Sequence, residues 1–241
     1  LKKIKGLVMA AGLLILPTLT ACTSAYQDFY DSVEYALESY KAEDVVLSAE
    51  AIEEFPYSGL YIRRGDNRQA LIVLGFIDRE AGRRQHSWIS ADNITIVTEN
   101  GRIIKTIGQT EAISSSELGN HDILAISNRD KDPLHCIILE RQQCPTTYSR
   151  EIDYLDRNRA RSTYAESTFN VSAEQQTITL PRGERNVYHV TETGTFSPSG
   201  KTFQNEFWLE ADGHVVRSIQ HLTPGEKPIM LEQVKWVGRD E

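Results

Sequence analysis

Residues 94–107 read ITIVTENGRIIKTI, and this short stretch narrows the fold more than any other part of the chain. Asn100-Gly101 supplies the two residues that best tolerate the positive φ angles of a type I′ turn, and the residues on either side are rich in branched side chains that favour strands. The register this turn predicts sets Glu99 opposite Arg102, Val97 opposite Ile104 and Ile94 opposite Ile107. Apolar pairs then fall on both faces of the hairpin, so neither face is left wholly to water. A hairpin that needs cover on two sides calls for a sheet that wraps around it.

The rest of the chain supplies such a sheet. Ala70–Ile77 (ALIVLGFI) is a continuous apolar run with branched residues, which reads as a strand buried on both faces. Further strands are expected around Ser167–Val171, Thr177–Leu180, Asn186–Thr193, Thr202–Glu210, Val215–Leu222 and Ile229–Val237, with Ala211-Asp212-Gly213 as a second turn. In the strand before that turn, Phe203, Phe207 and Leu209 share one face and Trp208 lies on the other. Two helical segments precede these strands. Residues 25–43 carry Tyr26, Phe29, Tyr30, Val33, Leu37 and Tyr40 at three- and four-residue steps, an amphipathic N-terminal helix, and Ala49–Glu54 reads as a helical turn stopped by Pro56. The expected fold is mainly β: a strongly curved antiparallel sheet or partly closed β-barrel with a few helices against it. Residues 109–146 show the least periodicity and read as a long insertion.

The N-terminus carries a different message. Lys2, Lys3 and Lys5 precede eleven apolar residues, Gly6 to Leu16, and then Pro17 and small or polar residues, the order of a secretory signal. Eleven residues fall short of the roughly 20 that a membrane-spanning helix needs. Leu19-Thr20-Ala21-Cys22 resembles the bacterial lipobox, an aliphatic residue and two small ones before a cysteine. In proteins with this motif the thiol receives a diacylglyceryl group, signal peptidase II reads Leu19, Thr20 and Ala21 and cuts before Cys22, and the new amine is usually acylated too. Two or three long chains, palmitate or similar, hold a protein at a membrane where one myristoyl chain does so only marginally. Thr23 rather than Asp follows the cysteine, which by the sorting pattern of enteric lipoproteins directs the protein to the outer membrane, facing the periplasm. The expected organisation is a lipoprotein signal peptide over 1–21, an acylated N-terminus with its helix over 22–47, and an antiparallel β domain over 48–241 with the insertion near 109–146.

The formal charge of −8 becomes −11 once the three lysines of the signal segment are removed. Such a domain has no electrostatic reason to bind phosphate backbones, so no nucleic-acid partner is expected. Cys136 and Cys144 are a disulfide candidate in an oxidising compartment, with two unpaired buried thiols as the alternative. No metal site and no cofactor are expected: His135 beside the cysteines is too few ligands for zinc, and no phosphate loop, dinucleotide fingerprint or hydrolase motif occurs. His214 and His221 flank a strand at a spacing that puts them on opposite faces about 23 Å apart, as surface histidines. The charge-dense stretch from Arg150 to Tyr164 reads as a solvated face, although Asp153 and Asp156 within it are the one carboxylate pair that glycoside chemistry would recruit. Tyr57, Tyr61, Trp88, Tyr188, Phe207, Trp208 and Trp236 are aromatic enough to stack on sugar rings, but strands use such residues for packing as well.

Six stretches, in order, resemble the YjbF/GfcB family of outer-membrane lipoproteins from group 4 capsule and exopolysaccharide operons. They are FPYSGLYIRRG (55–65), ALIVLGF (70–76), Trp88, TIVTENGRIIKTIG (95–108), Arg161-x3-Ala165-x-Ser167-x-Phe169, and FWLEADGHVVRSIQHL (207–222). The resemblance implies a mostly β lipoprotein without catalytic residues, serving polysaccharide assembly or secretion. The expected partners are then the outer membrane, through the acyl chains, and polysaccharide or other export proteins. Two other roles stand beside this one: a polysaccharide-modifying enzyme using Asp153 and Asp156, and a lipid carrier with an apolar cavity inside the curved sheet.

Overall fold

The computed structural model describes residues 44–109, 121–156 and 159–239. Thirteen strands form one antiparallel system: β1 (Gly59–Arg64), β2 (Ala70–Glu80), β3 (Arg83–Ser90), β4 (Thr95–Glu99), β5 (Arg102–Ile107), β6 (His121–Ile126), β7 (Thr147–Asp156), β8 (Arg159–Val171), β9 (Gln176–Leu180), β10 (Gly183–Ser197), β11 (Lys201–Leu209), β12 (Val215–Gln220) and β13 (Ile229–Lys235). The pairing order is β5-β4-β3-β2-β1-β13-β12-β11-β10-β8-β7-β6, with β9 added to the first part of β10. The result is a nearly closed, twelve-stranded, barrel-like sheet made of two meanders joined where β1 pairs β13.

Side chains bridge the remaining seam. Thr106 Oγ1 on β5 accepts from the Ile123 amide on β6 at 2.8 Å, and Asp122 accepts from the Gln109 amide at 3.0 Å. On the same free edge of β5, Gln220 of β12 accepts from the Ile103 amide at 3.0 Å and donates to the Gly101 carbonyl at 2.8 Å. An otherwise unpaired strand edge is thereby satisfied without a further strand.

Side chains fill the middle of the barrel. Trp88, Ile96, Ile103, Phe196, Phe203 and Ile229 are buried within one core drawn from strands all round the barrel. Each such side chain contributes on the order of 2–3 kcal/mol through burial. A pocket of about 220 Å³ remains among Ile62, Ile72, Ile94, Ile96 and Ile229, at the end that carries the β1–β2 turn.

One short helix, α1 (Ala49–Glu54), packs Ile52 on the outside of the barrel against Tyr61, Leu71 and Val234. Ser48 caps its start by accepting from the Ala51 amide, and Lys235 caps its end by donating to the Glu53 and Phe55 carbonyls at 2.8 Å. The helix expected over 25–43 lies outside the described residues. Within the insertion, the described part comprises β6, two 3₁₀ turns (Arg129–Lys131 and Pro133–His135) and the loop closed by the Cys136–Cys144 disulfide. Leu134, Ile137 and the disulfide pack on Tyr148, Phe169, Phe207 and Leu209, plugging half of one barrel end.

Four expectations need correction. The hairpin register holds at Glu99–Arg102, but Val97 faces Lys105 and Thr95 faces Ile107, because a bulge after Val97 leaves Ile104 as the extra residue. That bulge allows Ile103 and Ile104 both to be buried. The Ala70–Ile77 run is buried only in its first half. β1 pairs no further than Val73, a bulge falls at Gly75, and beyond it Phe76 and Ile77 are 63% and 57% exposed. The Arg150–Tyr164 stretch is solvated on one side only: it forms most of β7 and the start of β8, and its inward side buries Arg150, Ile152 and Tyr154. His214 and His221 are not surface residues either. Each is partly buried and hydrogen-bonded, His214 to Gln233 at 2.6 Å and His221 to the Gln204 carbonyl at 3.0 Å.

Candidate functional site

Two features gather polar groups: an ionic cluster inside the barrel and an open cleft at one end. The cluster centres on Glu192 of β10. Its carboxylate accepts from Arg102 (β5) at 2.9 Å, Arg150 (β7) at 2.6 Å, Ser167 (β8) at 2.7 Å and Asn205 (β11) at 2.9 Å. Arg102 also holds Asp132, at the start of the plug, through two hydrogen bonds, and its guanidinium lies 5.3 Å from the rings of both Tyr148 and Phe207. Burial alone would raise the Glu192 carboxyl, but the two arginines hold it well below the usual carboxylate range. With every partner internal, this cluster ties five strands to the plug and offers no approach for a ligand.

The cleft has a volume of about 600 Å³, within the range of small-molecule sites. It lies at the barrel end that carries the β2–β3, β4–β5 and β11–β12 turns, beside the plug, with the segment after β13 as its remaining wall. Turn chemistry builds the rim. Asn100 and Gly101 have φ of 48° and 80°, and Gly101 sits against Val215, where a β-carbon would collide. The β4–β5 tip is thereby brought onto the start of β12.

The floor is aromatic. Trp88 is buried and donates from Nε1 to Thr98 Oγ1 at 2.9 Å. Trp236 meets Trp88, His86 and His214 edge-to-face, at centroid distances of 5.5, 5.1 and 4.7 Å. Burial, with the positive charge of Arg84 nearby, lowers His86 to about 4, so it is neutral at physiological pH. Burial likewise lowers His214, against the hydrogen bond it donates to Gln233 Oε1, which favours its charged form. Neither histidine adds charge to the cleft.

The arginines differ in how they are matched. Arg239 pairs Glu210 at 2.7 Å and Asp212 at 2.6 Å, and Arg217 pairs Glu232. On the β2–β3 arm, Arg83 pairs Glu99 at 2.9 Å, and Glu80 pairs Arg129 at 2.7 Å, on the face turned away from the cleft. Arg79 and Arg84 stand directly opposite each other on the cleft face, both exposed, with no carboxylate partner among the described residues.

The residues singled out from the sequence are placed as follows. Leu19, Thr20, Ala21 and Cys22 lie outside the described residues. Cys136 and Cys144 are bonded to each other, with Cα atoms 5.5 Å apart, in the plug. Asp153 and Asp156 lie three residues apart on β7 and so on opposite faces. Asp153 accepts from Ser162, and Asp156 pairs Arg161 at 3.0 Å. They do not flank a common space. Of the seven aromatics, Trp88 and Trp236 line the cleft. Tyr61 and Phe207 are core residues, Trp208 stacks on His189, Tyr188 lies under Arg141, and Tyr57 packs on Phe55. Sequence reasoning missed Arg79, Arg84 and His86. The signal was present in DREAGRRQ: a two-residue turn at Ala81-Gly82 sets Arg79 against Arg84.

Comparison with known proteins fits this architecture. The family model described as "Group 4 capsule polysaccharide lipoprotein gfcB, YjbF" matches residues 30–234. The chain is 30% identical over 220 residues to the lipoprotein GfcB of Escherichia coli K12, covering 90% of this chain and 93% of GfcB. It is 24% identical over 223 residues to the lipoprotein YjbF of the same strain, covering 92% and 95%. The crystal structure of the lipoprotein YmcC, also from E. coli K12, superposes with a TM-score of 0.70 at 25% identity, covering 91% of this chain and 98% of that one. The chain belongs to the YjbF/GfcB family of group 4 capsule polysaccharide lipoproteins.

Proposed function

We propose that the chain is a lipid-anchored, non-enzymatic component of capsule or exopolysaccharide assembly or secretion, held at the outer membrane through Cys22 and facing the periplasm. The observation that carries this reading is the family match over residues 30–234, running directly behind the lipobox Leu19–Cys22. The site geometry supports a binding role over hydrolysis. Asp153 and Asp156 point to opposite sides of one strand, whereas glycoside hydrolysis needs two carboxyl groups about 5–10 Å apart across one bond. The open feature is instead a cleft lined by tryptophan and arginine side chains, which supports a binding role.

The test is deletion of the gene in its own host, followed by complementation. Deletion should lower surface polysaccharide, and the wild-type chain and Asp153→Asn/Asp156→Asn should restore it equally. Purified chain incubated with that polysaccharide should leave its mass distribution unchanged. Unaltered polysaccharide on deletion would defeat the capsule role. Mass loss that the double substitution abolishes would establish an enzyme in its place.

A further inference from the structure

The charge arithmetic around the cleft points to a ligand class. Two arginines directly opposite each other on one face of a hairpin repel, and like-charged cross-strand pairs are destabilising. Of the arginines nearest them, Arg83, Arg129, Arg217 and Arg239 each have a carboxylate within 3.1 Å. The chain as a whole carries a formal charge of −8, so acidic residues to neutralise Arg79 and Arg84 are not scarce. Of the neighbouring acids, Glu80 and Glu99 hold Arg83 and Arg129 on the opposite face, Asp212 holds Arg239, and Asp78, next to Arg79 on β2, alternates onto the opposite face of the strand. The unmatched positive charge is therefore confined to one wall of the cleft.

Along the floor beside that wall lie groups of a different kind. Trp236 presents a half-buried ring, fixed by edge contacts to Trp88, His86 and His214. Both histidines are kept neutral, so the aromatic side is apolar and weakly polar rather than charged. Asn100, at the β4–β5 tip, supplies an amide on the rim. Guanidinium forks match carboxylates in paired hydrogen bonds, and indole rings cover the apolar faces of sugar rings.

We propose that this cleft binds a carboxylate-bearing saccharide segment, with Arg79 and Arg84 holding the acid groups and Trp236 supporting the sugar rings. The proposal rests on the polysaccharide role above and gives that role a ligand class and a location. A volume of about 600 Å³ accommodates a short oligosaccharide rather than a single small anion.

The test is calorimetric titration of the full chain, purified in a detergent that contains no sugar. Three probes are used: the galacturonic acid tetramer, maltotetraose, which has no acid groups, and the tetraglutamate peptide, which has acid groups but no sugar. The galacturonate tetramer should bind at least tenfold more tightly than either of the others, and more weakly as salt rises. Arg79→Gln/Arg84→Gln should weaken that binding at least tenfold, while Arg159→Gln, an exposed arginine at the opposite barrel end, should leave it unchanged. Both Arg79 and Arg84 are exposed, and an unchanged melting temperature in the double variant separates lost binding from lost fold. Absence of galacturonate binding, equal binding of tetraglutamate, or undiminished binding by the double variant would each overturn the proposal. The assay makes no use of cellular polysaccharide output, so it can fail while the capsule role stands, and the capsule role can fail while the cleft still binds.

Discussion

Glu192 illustrates how this barrel uses charge at the scale of one residue. A carboxylate with no exposure is tolerable only when its partners satisfy it, and here two arginines, a serine and an asparagine do so. Removing one partner leaves an uncompensated charge in the interior. Arg102→Met should therefore destabilise the fold by about 3–5 kcal/mol, read as a lower urea midpoint. Arg102→Met/Asp132→Asn, which also removes the carboxylate left without its arginine and keeps the Glu192–Arg150 pair, should recover part of that loss. Little of this was legible beforehand. Arg150 sits in a stretch whose alternating charges look solvated, and nothing local distinguishes it from Arg159 or Arg161. The difference arises because the pleat turns Arg150 inward, toward a residue 42 positions later in the chain. Asn100-Gly101, by contrast, was readable because its turn depends on two adjacent φ angles alone.

At the scale of elements, strands with local signals were readable and strands defined by distant partners were not. The six strands from Ser167 onward and the β4–β5 hairpin show alternation bounded by turn residues. β1, β3, β6 and β7 do not: β3 reads RRQHSWIS, with apolar side chains only at its end, and β7 reads TYSREIDYLD, where charge masks a buried alternation of Tyr148, Arg150, Ile152 and Tyr154. The plug is an element of another kind, lacking regular structure and packed by a disulfide, a few apolar side chains and Asp132. Its disulfide spans a sequence separation of eight, a short loop that stabilises by about 2.5 kcal/mol in chain-entropy terms. Cys136→Ser/Cys144→Ser should lower stability by about that amount. Because the plug adjoins the cleft, with Leu139 close to Gly213 of its rim, hydrogen exchange should quicken in the plug and the β11–β12 turn before the rest of the barrel opens.

At the scale of the whole molecule, the sequence pointed to a curved sheet or partly closed barrel, and what it kept hidden is how closure is achieved. It depends on β1 meeting β13 across some 170 residues and on Gln220, Thr106 and Asp122 capping the β5 edge, all long-range events. Closure also gives the barrel two unlike ends. The cleft and the plug occupy one, while Asp44, where the described chain begins, is fastened to Arg63 and Gln69 at the other. The proposed lipid anchor joins this architecture to its proposed role, and Cys22→Ala tests it most directly. In the native host, membrane fractionation and surface polysaccharide should be measured together on cells producing this variant at wild-type levels. The account predicts that the chain leaves the outer-membrane fraction and that polysaccharide output falls toward that of the deletion strain. Unchanged fractionation with full output would contradict it.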